Sequence, residues 1–353
     1  MDVAYMKQYG LLGPVMQAAE AADARPGRIV SQEKGLYDVV WEGGELLASV
    51  SGRFRFETPN ALGYPTTGDF VLLEPSSLRS GRGVIRGILP RKSVFVRRAA
   101  GTTREEQVVA ANVDTVFVCM SLNSDFNLRR LERYLAIAWE SGAVPAVMLT
   151  KSDLCGSLQE KLARVHSVAM GADILVTSAM EEDGYWQILP YLTENRTAAF
   201  IGSSGVGKST LINRLLGEER LDTNSLRDDG RGRHTTTRRE LIALPSGGLV
   251  MDTPGMREIG MWDADGGLDL AFSDIEVLAR GCRFRDCGHI SEPGCAVRAA
   301  IACGELTEER LLSWQKLKAE NDYARDSESY LAAKEKRFKE IATFSKNLQK
   351  RKE

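Results

Sequence analysis

The sequence of 353 residues contains no apolar run long enough to span a bilayer, which excludes a membrane-spanning helix. Its start, Met1-Asp2-Val3-Ala4-Tyr5, lacks the basic residues and apolar stretch of a signal peptide, so a cytoplasmic protein is expected. No amphipathic or lipidation signal points to membrane attachment. In a reducing compartment the six cysteines do not read as a disulfide framework. There is no internal repeat and no low-complexity linker, which leaves ordinary globular domains. Acidic residues are missing altogether between Glu74 and Glu105, a stretch that carries Arg79, Arg82, Arg86, Arg91, Lys92, Arg97, Arg98 and Arg104. They are scarce again in the tail, where Lys334, Lys336, Arg337, Lys339, Lys346, Lys350, Arg351 and Lys352 meet only Glu335, Glu340 and Glu353. The formal net charge of −2 hides this segregation, which suits a protein that grips a polyanion at its edges.

What is present is the composition of a globular protein, 43% hydrophobic and 27% charged, in a chain long enough for two or three cores. Residues 1–28 read as a helical or loosely ordered leader ending at Arg25-Pro26-Gly27. From 29 to 104, short β runs (36–41, 45–50, 69–73 and 83–89) alternate with turn signals such as Gly43-Gly44 and Gly63-Tyr64-Pro65. That spacing predicts a small β-barrel. A five-stranded oligonucleotide-binding (OB) barrel is the preferred reading and an SH3-like barrel the alternative. From 105 to 265 strands and helices alternate. Residues 115–120, 146–149, 174–177 and 198–201 read as buried strands. Residues 127–141 read as an amphipathic helix with Leu128, Leu131, Leu135 and Ala138 on one face. This βαβ rhythm predicts a mainly parallel sheet with helices on both faces. From 266 to 353 the chain turns helical around a Cys/His cluster. The predicted fold class is a multidomain α/β protein.

Gly202-Ser203-Ser204-Gly205-Val206-Gly207-Lys208-Ser209 fits the phosphate-binding loop at every fixed position, with Thr210 continuing into the next helix. Glycines let the backbone curl so that successive N–H groups point at phosphate oxygens, and the following helix adds its positive end. Lys208 is expected to reach the β- and γ-phosphates, and the Ser209 hydroxyl to coordinate Mg²⁺. Asp252-Thr253-Pro254-Gly255 follows the apolar run Leu249-Val250-Met251, as a DxxG sensor of magnesium and γ-phosphate should. Asp252 would hold the ion through water, and the Gly255 N–H would touch the γ-phosphate. In Gly232-Arg233-His234-Thr235-Thr236-Thr237, Thr236 is the choice to complete the magnesium shell.

Guanine is recognised by a carboxylate that accepts hydrogen bonds from N1–H and the 2-amino group, a donor pair that adenine lacks. Thr150-Lys151-Ser152-Asp153 directly follows an apolar run and supplies Asp153 for that role, with the Lys151 stem over the base plane. Ser178-Ala179 follows the next strand and would offer a backbone N–H to guanine O6. In ordinary GTPases these two motifs come after DxxG; here they precede the phosphate loop. Circular permutation preserves a core by rejoining the fold at neighbouring termini. It also leads the DxxG strand straight into the C-terminal region, so that loss of the γ-phosphate could reposition that region.

Cys282, Cys287, His289 and Cys295 form a C-x4-C-x-H-x5-C array. Three thiolates and an imidazole close a tetrahedral Zn²⁺ shell without an open position, hence a structural site. Cys303 is a rival ligand by proximity and is set aside, and Cys119 and Cys155 read as ordinary cysteines. The basic run 79–104 and the tail would make salt-sensitive, largely sequence-independent phosphate contacts with RNA. Phe54, Phe56 and Tyr64 would either stack on bases or pack the barrel.

The permuted motif order, the segment Gly232 to Thr237 and the Cys/His cluster together resemble the RsgA (YjeQ) family of small-ribosomal-subunit-dependent GTPases. Gln107-Val108-Val109-Ala110-Ala111-Asn112-Val113-Asp114, Asp125-Phe126-Asn127-Leu128-Arg129-Arg130 and Asp252-Thr253-Pro254-Gly255-Met256-Arg257-Glu258 look like family signatures. The resemblance spans nearly the whole chain. It implies an N-terminal OB fold, a permuted GTPase domain and a C-terminal zinc domain. It also implies GTP hydrolysis stimulated by the small subunit and its rRNA during late assembly, with other assembly factors as further partners. Thr150 departs from the asparagine usual at that position. Met256, after DxxG, cannot polarise water as a glutamine would, so slow intrinsic turnover is expected. His234 is the candidate to place the nucleophile, against the plainer reading of a solvent-facing histidine. The overall expectation is a monomeric ribosome-assembly GTPase. The competing expectation is a nucleotide-gated RNA-binding switch in which hydrolysis is incidental.

Overall fold

A computed structural model describes residues 3–78, 81–98, 106–221, 239–252 and 264–325. The chain divides into two compact units, Met1–Gly260 and Met261–Glu353. The first opens with helices Val3–Gln8 and Pro14–Ala21. Five strands follow: β1 (Arg25–Glu33), β2 (Leu36–Trp41), β3 (Gly44–Val50), β4 (Phe70–Leu73) and β5 (Arg82–Ile88). β1, β2 and β3 form an antiparallel meander, and β3 pairs in parallel with β5. β4 closes the barrel by pairing antiparallel with both β5 and β1. This is the Greek-key closure of an OB fold, which decides between the two barrels left open above. Ile29, Tyr37, Val39, Val71, Leu73 and Ile85 fill the interior.

The leader is shorter than expected, because β1 begins at Arg25. Arg25-Pro26-Gly27 reads as a breaker, but Pro26 stands next to the strand's first residue, where a missing N–H is tolerated. Gly27 is needed for close packing: a Cβ there would lie 2.5 Å from Val39 Cγ1. Arg28, at the predicted boundary, is 1% exposed. Its guanidinium donates to the Tyr9 carbonyl (3.1 Å) and to Thr197 Oγ1 (2.7 Å), and lies 4.7 Å from the Phe70 ring centre. Burial pushes its pKa down to about 10, which leaves it cationic at neutral pH.

Arg91 belongs to the basic run assigned above to RNA, yet it is used inside the barrel. Its Nε and Nη2 donate to the two Asp69 oxygens at 2.8 Å each, and its other donors reach the Leu62 and Tyr64 carbonyls. The Asp69 side chain is fully buried and that of Arg91 17% exposed. Asp69→Asn leaves this arginine without its charge partner. The expected loss is about 3–5 kcal/mol, read as a lowered urea midpoint.

β6 (Val94–Arg98) and β7 (Glu106–Ala111) form a separate antiparallel pair. Then come β8 (Thr115–Ser121), β9 (Val144–Thr150), β10 (Asp173–Val176), β11 (Thr197–Gly202), β12 (Glu240–Ala243) and β13 (Leu249–Asp252). They are ordered β10-β9-β8-β11-β13-β12, parallel except for β12. Every residue of β8 and β11 is buried, as central parallel strands covered on both faces require. The sheet runs on into the barrel through the pair Ser31 and Glu240. The helix Leu128–Glu140 starts where Asn127 Oδ1 accepts the Arg130 N–H at 3.1 Å, an N-cap. Its buried Leu131, Leu135 and Ala138 face the core.

The second unit contains helices Asp265–Ala271, Ser273–Ala279, Ala296–Ala302 and Glu308–Arg325. Among the described residues no helix is long and apolar enough to cross a membrane.

Candidate active site

β11 delivers the chain into the phosphate loop. Gly202 (φ +149°) packs so tightly on β8 that a Cβ would sit 2.5 Å from the Cys119 carbonyl oxygen. Gly205 and Gly207 have φ of +70° and +103°, left-handed values that turn their N–H groups and that a side chain would strain. Val206 is fully buried beneath them, and the helix Lys208–Leu216 begins at once. The Lys208 ammonium folds back to donate to the Gly202 and Ser203 carbonyls, both at 2.7 Å. Ser209 and Thr210 occupy the first turn of that helix.

β9 ends at Thr150, and the base-reading loop leaves it through Lys151 in a left-handed conformation, φ +58°. Two side chains tie this loop to the phosphate loop. Thr150 Oγ1 donates to the Val206 carbonyl and Lys151 Nζ to the Gly205 carbonyl, each at 2.6 Å. Threonine at the position usual for asparagine therefore still tethers the two loops. Asp153 Oδ1 accepts from Ser178 Oγ at 2.7 Å, which orients the carboxylate. The Ser178 N–H is occupied by the Gly184 carbonyl at 2.9 Å, so of the expected pair only Ala179 is left to offer its N–H to the cleft. The cleft between the loops measures about 220 Å³ and is lined by Thr150, Lys151, Asp153, Ala179, Val206, Gly207 and Thr210. Leu154 and Met180 complete its lip with large exposed apolar side chains, 62% and 76% accessible. The sequence reading passed over both, although each directly follows a base-reading motif.

β13 runs parallel to β11 with Met251 opposite Ala199, so Asp252 ends the neighbouring strand. Its hairpin with β12 is closed by the Leu244 N–H donating to the Gly248 carbonyl at 2.8 Å. His234, Thr236, Gly255 and Met256 lie outside the described residues.

In the second unit the ligand atoms of Cys282, Cys287, His289 and Cys295 all lie within 4.8 Å of one another. A zinc ion bonded at about 2.3 Å to sulfur and about 2.0 Å to nitrogen sets tetrahedral edges of about 3.8 Å between sulfurs and about 3.5 Å between sulfur and nitrogen. The Cys282 and Cys295 sulfurs are 3.9 Å apart, and His289 Nδ1 lies 3.6 and 3.4 Å from them. The donor set fits zinc. Cys295 is the N-cap of helix Ala296–Ala302, its sulfur accepting the Arg298 N–H at 3.4 Å. Glu292 folds the ligand loop by accepting the N–H groups of Gly288, Ile290 and Ser291. Its own amide, then those of Ile290 and Gly288, hold its carboxyl down to about 2. Cys303 is exposed and donates to the Ala300 carbonyl, apart from the cluster. Burial pushes the Cys119 thiol up to about 12, consistent with an inert core cysteine.

Residues 88–262 match the RsgA GTPase family. The small ribosomal subunit biogenesis GTPase RsgA 2 of Lactiplantibacillus plantarum is 50% identical over 298 residues, covering 84% of this chain and 83% of the relative. The chain belongs to the RsgA GTPase family. A namesake from Listeria monocytogenes is 42% identical over 333 residues, 94% of both chains. Among solved structures, YjeQ from Thermotoga maritima aligns with a TM-score of 0.63 at 26% identity, covering 83% of this chain and 96% of that one. YloQ, described as a circularly permuted GTPase, aligns at 0.58 with 27% identity, covering 83% and 93%. As a member of the RsgA family the chain is a GTP-hydrolysing enzyme with permuted motifs.

Several residues of the basic run expected to meet a polyanion in this RsgA GTPase also have partners within the protein. Besides Arg91, Arg86 donates to the Ala22 and Asp23 carbonyls, Lys92 pairs with Asp114 at 2.5 Å and Arg97 reaches Gln107. Arg86 and Lys92 remain exposed despite these contacts, whereas Arg91 is largely withdrawn from solvent. Arg82 is exposed. Arg79, Arg104 and the tail from Lys334 onward lie outside the described residues. Phe54 and Tyr64 meet edge to face at 6.1 Å and pack on the barrel core, whereas Phe56 is 89% exposed.

Proposed function

We propose that this protein hydrolyses GTP to GDP and phosphate in late maturation of the small ribosomal subunit, as a cytoplasmic monomer. The subunit and its rRNA stimulate turnover, and hydrolysis releases the enzyme or assembly factors. One observation carries the nucleotide half of this reading. Thr150 and Lys151 bond to the adjacent carbonyls of Val206 and Gly205, so Asp153 and the phosphate cradle open on a single cleft. The subunit half is supported by the relatives, which are named for small ribosomal subunit biogenesis.

Asp153 accepts the guanine N1–H and 2-amino hydrogens, and the Ala179 N–H donates to O6. Leu154, Met180 and the Lys151 stem enclose the base. The N–H groups of residues 203–207 and the Lys208 ammonium receive the phosphates. Ser209, Thr236 and Asp252 would hold Mg²⁺, which would neutralise phosphate charge during transfer. The Gly255 N–H reaches the γ-phosphate, and His234 orients water in place of the glutamine that Met256 replaces. Cys282, Cys287, His289 and Cys295 would hold one structural Zn²⁺.

The test is GTP and ATP hydrolysis with purified small subunits added or withheld. GTP turnover is expected to be slow alone and strongly raised by the subunit, with ATP hydrolysed in neither case. His234→Ala should lower the stimulated rate by about 10²-fold while nucleotide binding persists. Turnover indifferent to the subunit refutes the assignment.

A further inference from the structure

Residue 203 is one of the unspecified positions of the phosphate-loop pattern, yet its side chain has a specific partner. Ser203 Oγ donates to Asp125 Oδ2 at 2.6 Å. Asp125 is held in turn by Arg130, whose Nη1 donates to both carboxylate oxygens at 2.8 Å. On its other side, the Ser203 carbonyl accepts the Lys208 ammonium at 2.7 Å. A continuous chain of polar contacts therefore runs from helix Leu128–Glu140 through Arg130, Asp125 and Ser203 to the phosphate-binding lysine.

We propose that Asp125 is a positioning residue of the phosphate site: clamped by Arg130, its carboxylate holds the Ser203 hydroxyl and so sets the first turn of the phosphate loop. This rests on the GTP-site reading above. The loop that carries Asp125 is built to aim it. Asn123 Oδ1 accepts both the Ser121 hydroxyl (2.8 Å) and the Asp125 N–H (3.0 Å), forming a tight turn. Lys161 Nζ donates to the Leu122 carbonyl at 2.5 Å, and the Phe126 ring lies 5.4 Å from Lys161 Nζ and 5.3 Å from Arg164 Cζ. Both cations stand on helix Leu158–His166, which follows the base-reading loop. The Leu122 N–H donates to the Thr150 carbonyl at 2.9 Å. One loop thus touches both halves of the nucleotide cleft.

Two physical arguments favour positioning over a folding role. The Asp125 and Arg130 side chains are 41% and 35% exposed. Ion pairs that open to solvent add little to folding. A carboxylate beside a polyanion site is also unfavourable by Coulomb's law unless neutralised, and Arg130 neutralises it. The hydrogen bonds from Arg130 and then Ser203 hold the carboxyl below its ordinary range, so it is an anionic acceptor at neutral pH.

The experiment is calorimetric titration of the full-length, magnesium-supplied protein with GTP and ATP, for wild type, Asp125→Ala, Ser203→Ala and the double variant. Each single change is expected to weaken GTP binding by roughly tenfold or more, the size of a hydrogen bond to a charged group. The double variant should be no weaker than the worse single one, and Asp125→Asn, which keeps an acceptor for Ser203, should recover part of the loss. Preference for GTP over ATP and the thermal midpoint should stay at wild-type values. Unchanged affinity in the single variants, additive losses, or a loss that tracks a collapsed thermal transition would each overturn the positioning role. A wild-type protein that binds no GTP would instead sink the nucleotide-site reading itself, and this proposal with it.

Discussion

Asp153→Asn is expected to exchange guanine for xanthine as the preferred base. The wild-type carboxylate accepts two hydrogen bonds, from N1–H and the 2-amino group of guanine. Hydrogen bonds to a charged group contribute about 1.5–3 kcal/mol each, so removing the charge and setting a donor against the 2-amino group weakens GTP binding by about 10²- to 10⁴-fold. Asparagine keeps the oxygen that accepts from Ser178 Oγ (2.7 Å from Asp153 Oδ1) but turns the second position into a donor. Xanthine, with a carbonyl at C2 beside its N1–H, matches that donor–acceptor pair. Competition between GTP and xanthosine triphosphate measures the exchange. Retained guanine preference in the variant would remove Asp153 from the base-reading role.

Cys287→Ala should abolish zinc binding and unfold the metal loop of the second unit. Four-ligand structural zinc sites couple about 10 kcal/mol or more of binding free energy to folding, and loss of one thiolate opens the shell. The metal content of the purified protein is expected to fall from one zinc per chain to none, and residues 264–325 to become sensitive to protease. GTP binding should persist, because the nucleotide-site residues all lie in the first unit. Cys303→Ser is the control: its sulfur engages the Ala300 carbonyl rather than the cluster, so zinc should remain. Zinc that survives Cys287→Ala, or is lost with Cys303→Ser, contradicts the ligand set.

What was legible in the sequence was local. The helix read over 127–141 occupies Leu128–Glu140 with Asn127 and Ser141 as its caps, because capping chemistry is written in adjacent residues. The strands that enter the phosphate loop and the base-reading loop are uninterrupted apolar runs, as fully buried parallel strands must be. The four metal ligands converge because a short turn-rich segment brings its own residues together. The barrel type was not legible, since it depends on the parallel pairing of β3 with β5 across an intervening strand. The fate of the basic run was equally hidden. Nothing local separates Arg91, bonded to a buried carboxylate, from Arg82, which is exposed. Asp125 stood in the sequence as part of a signature without a role, and only the fold brings it within 2.6 Å of Ser203 Oγ.

By itself, the sequence determined which chemical groups this protein possesses and the order in which they occur: a glycine-rich loop, a base-reading carboxylate ahead of it, and a Cys/His array. Those follow from residue identity at fixed short spacings, which backbone geometry converts directly into local shape. Tertiary structure alone decided which groups meet. Residues 150 and 206 share a hydrogen bond, Arg28 is buried against a strand that begins at Thr197, and Asp125 joins the phosphate loop. Such meetings depend on packing between segments far apart in the chain, where the energy of burying one surface against another, and not the neighbours in sequence, selects the partner.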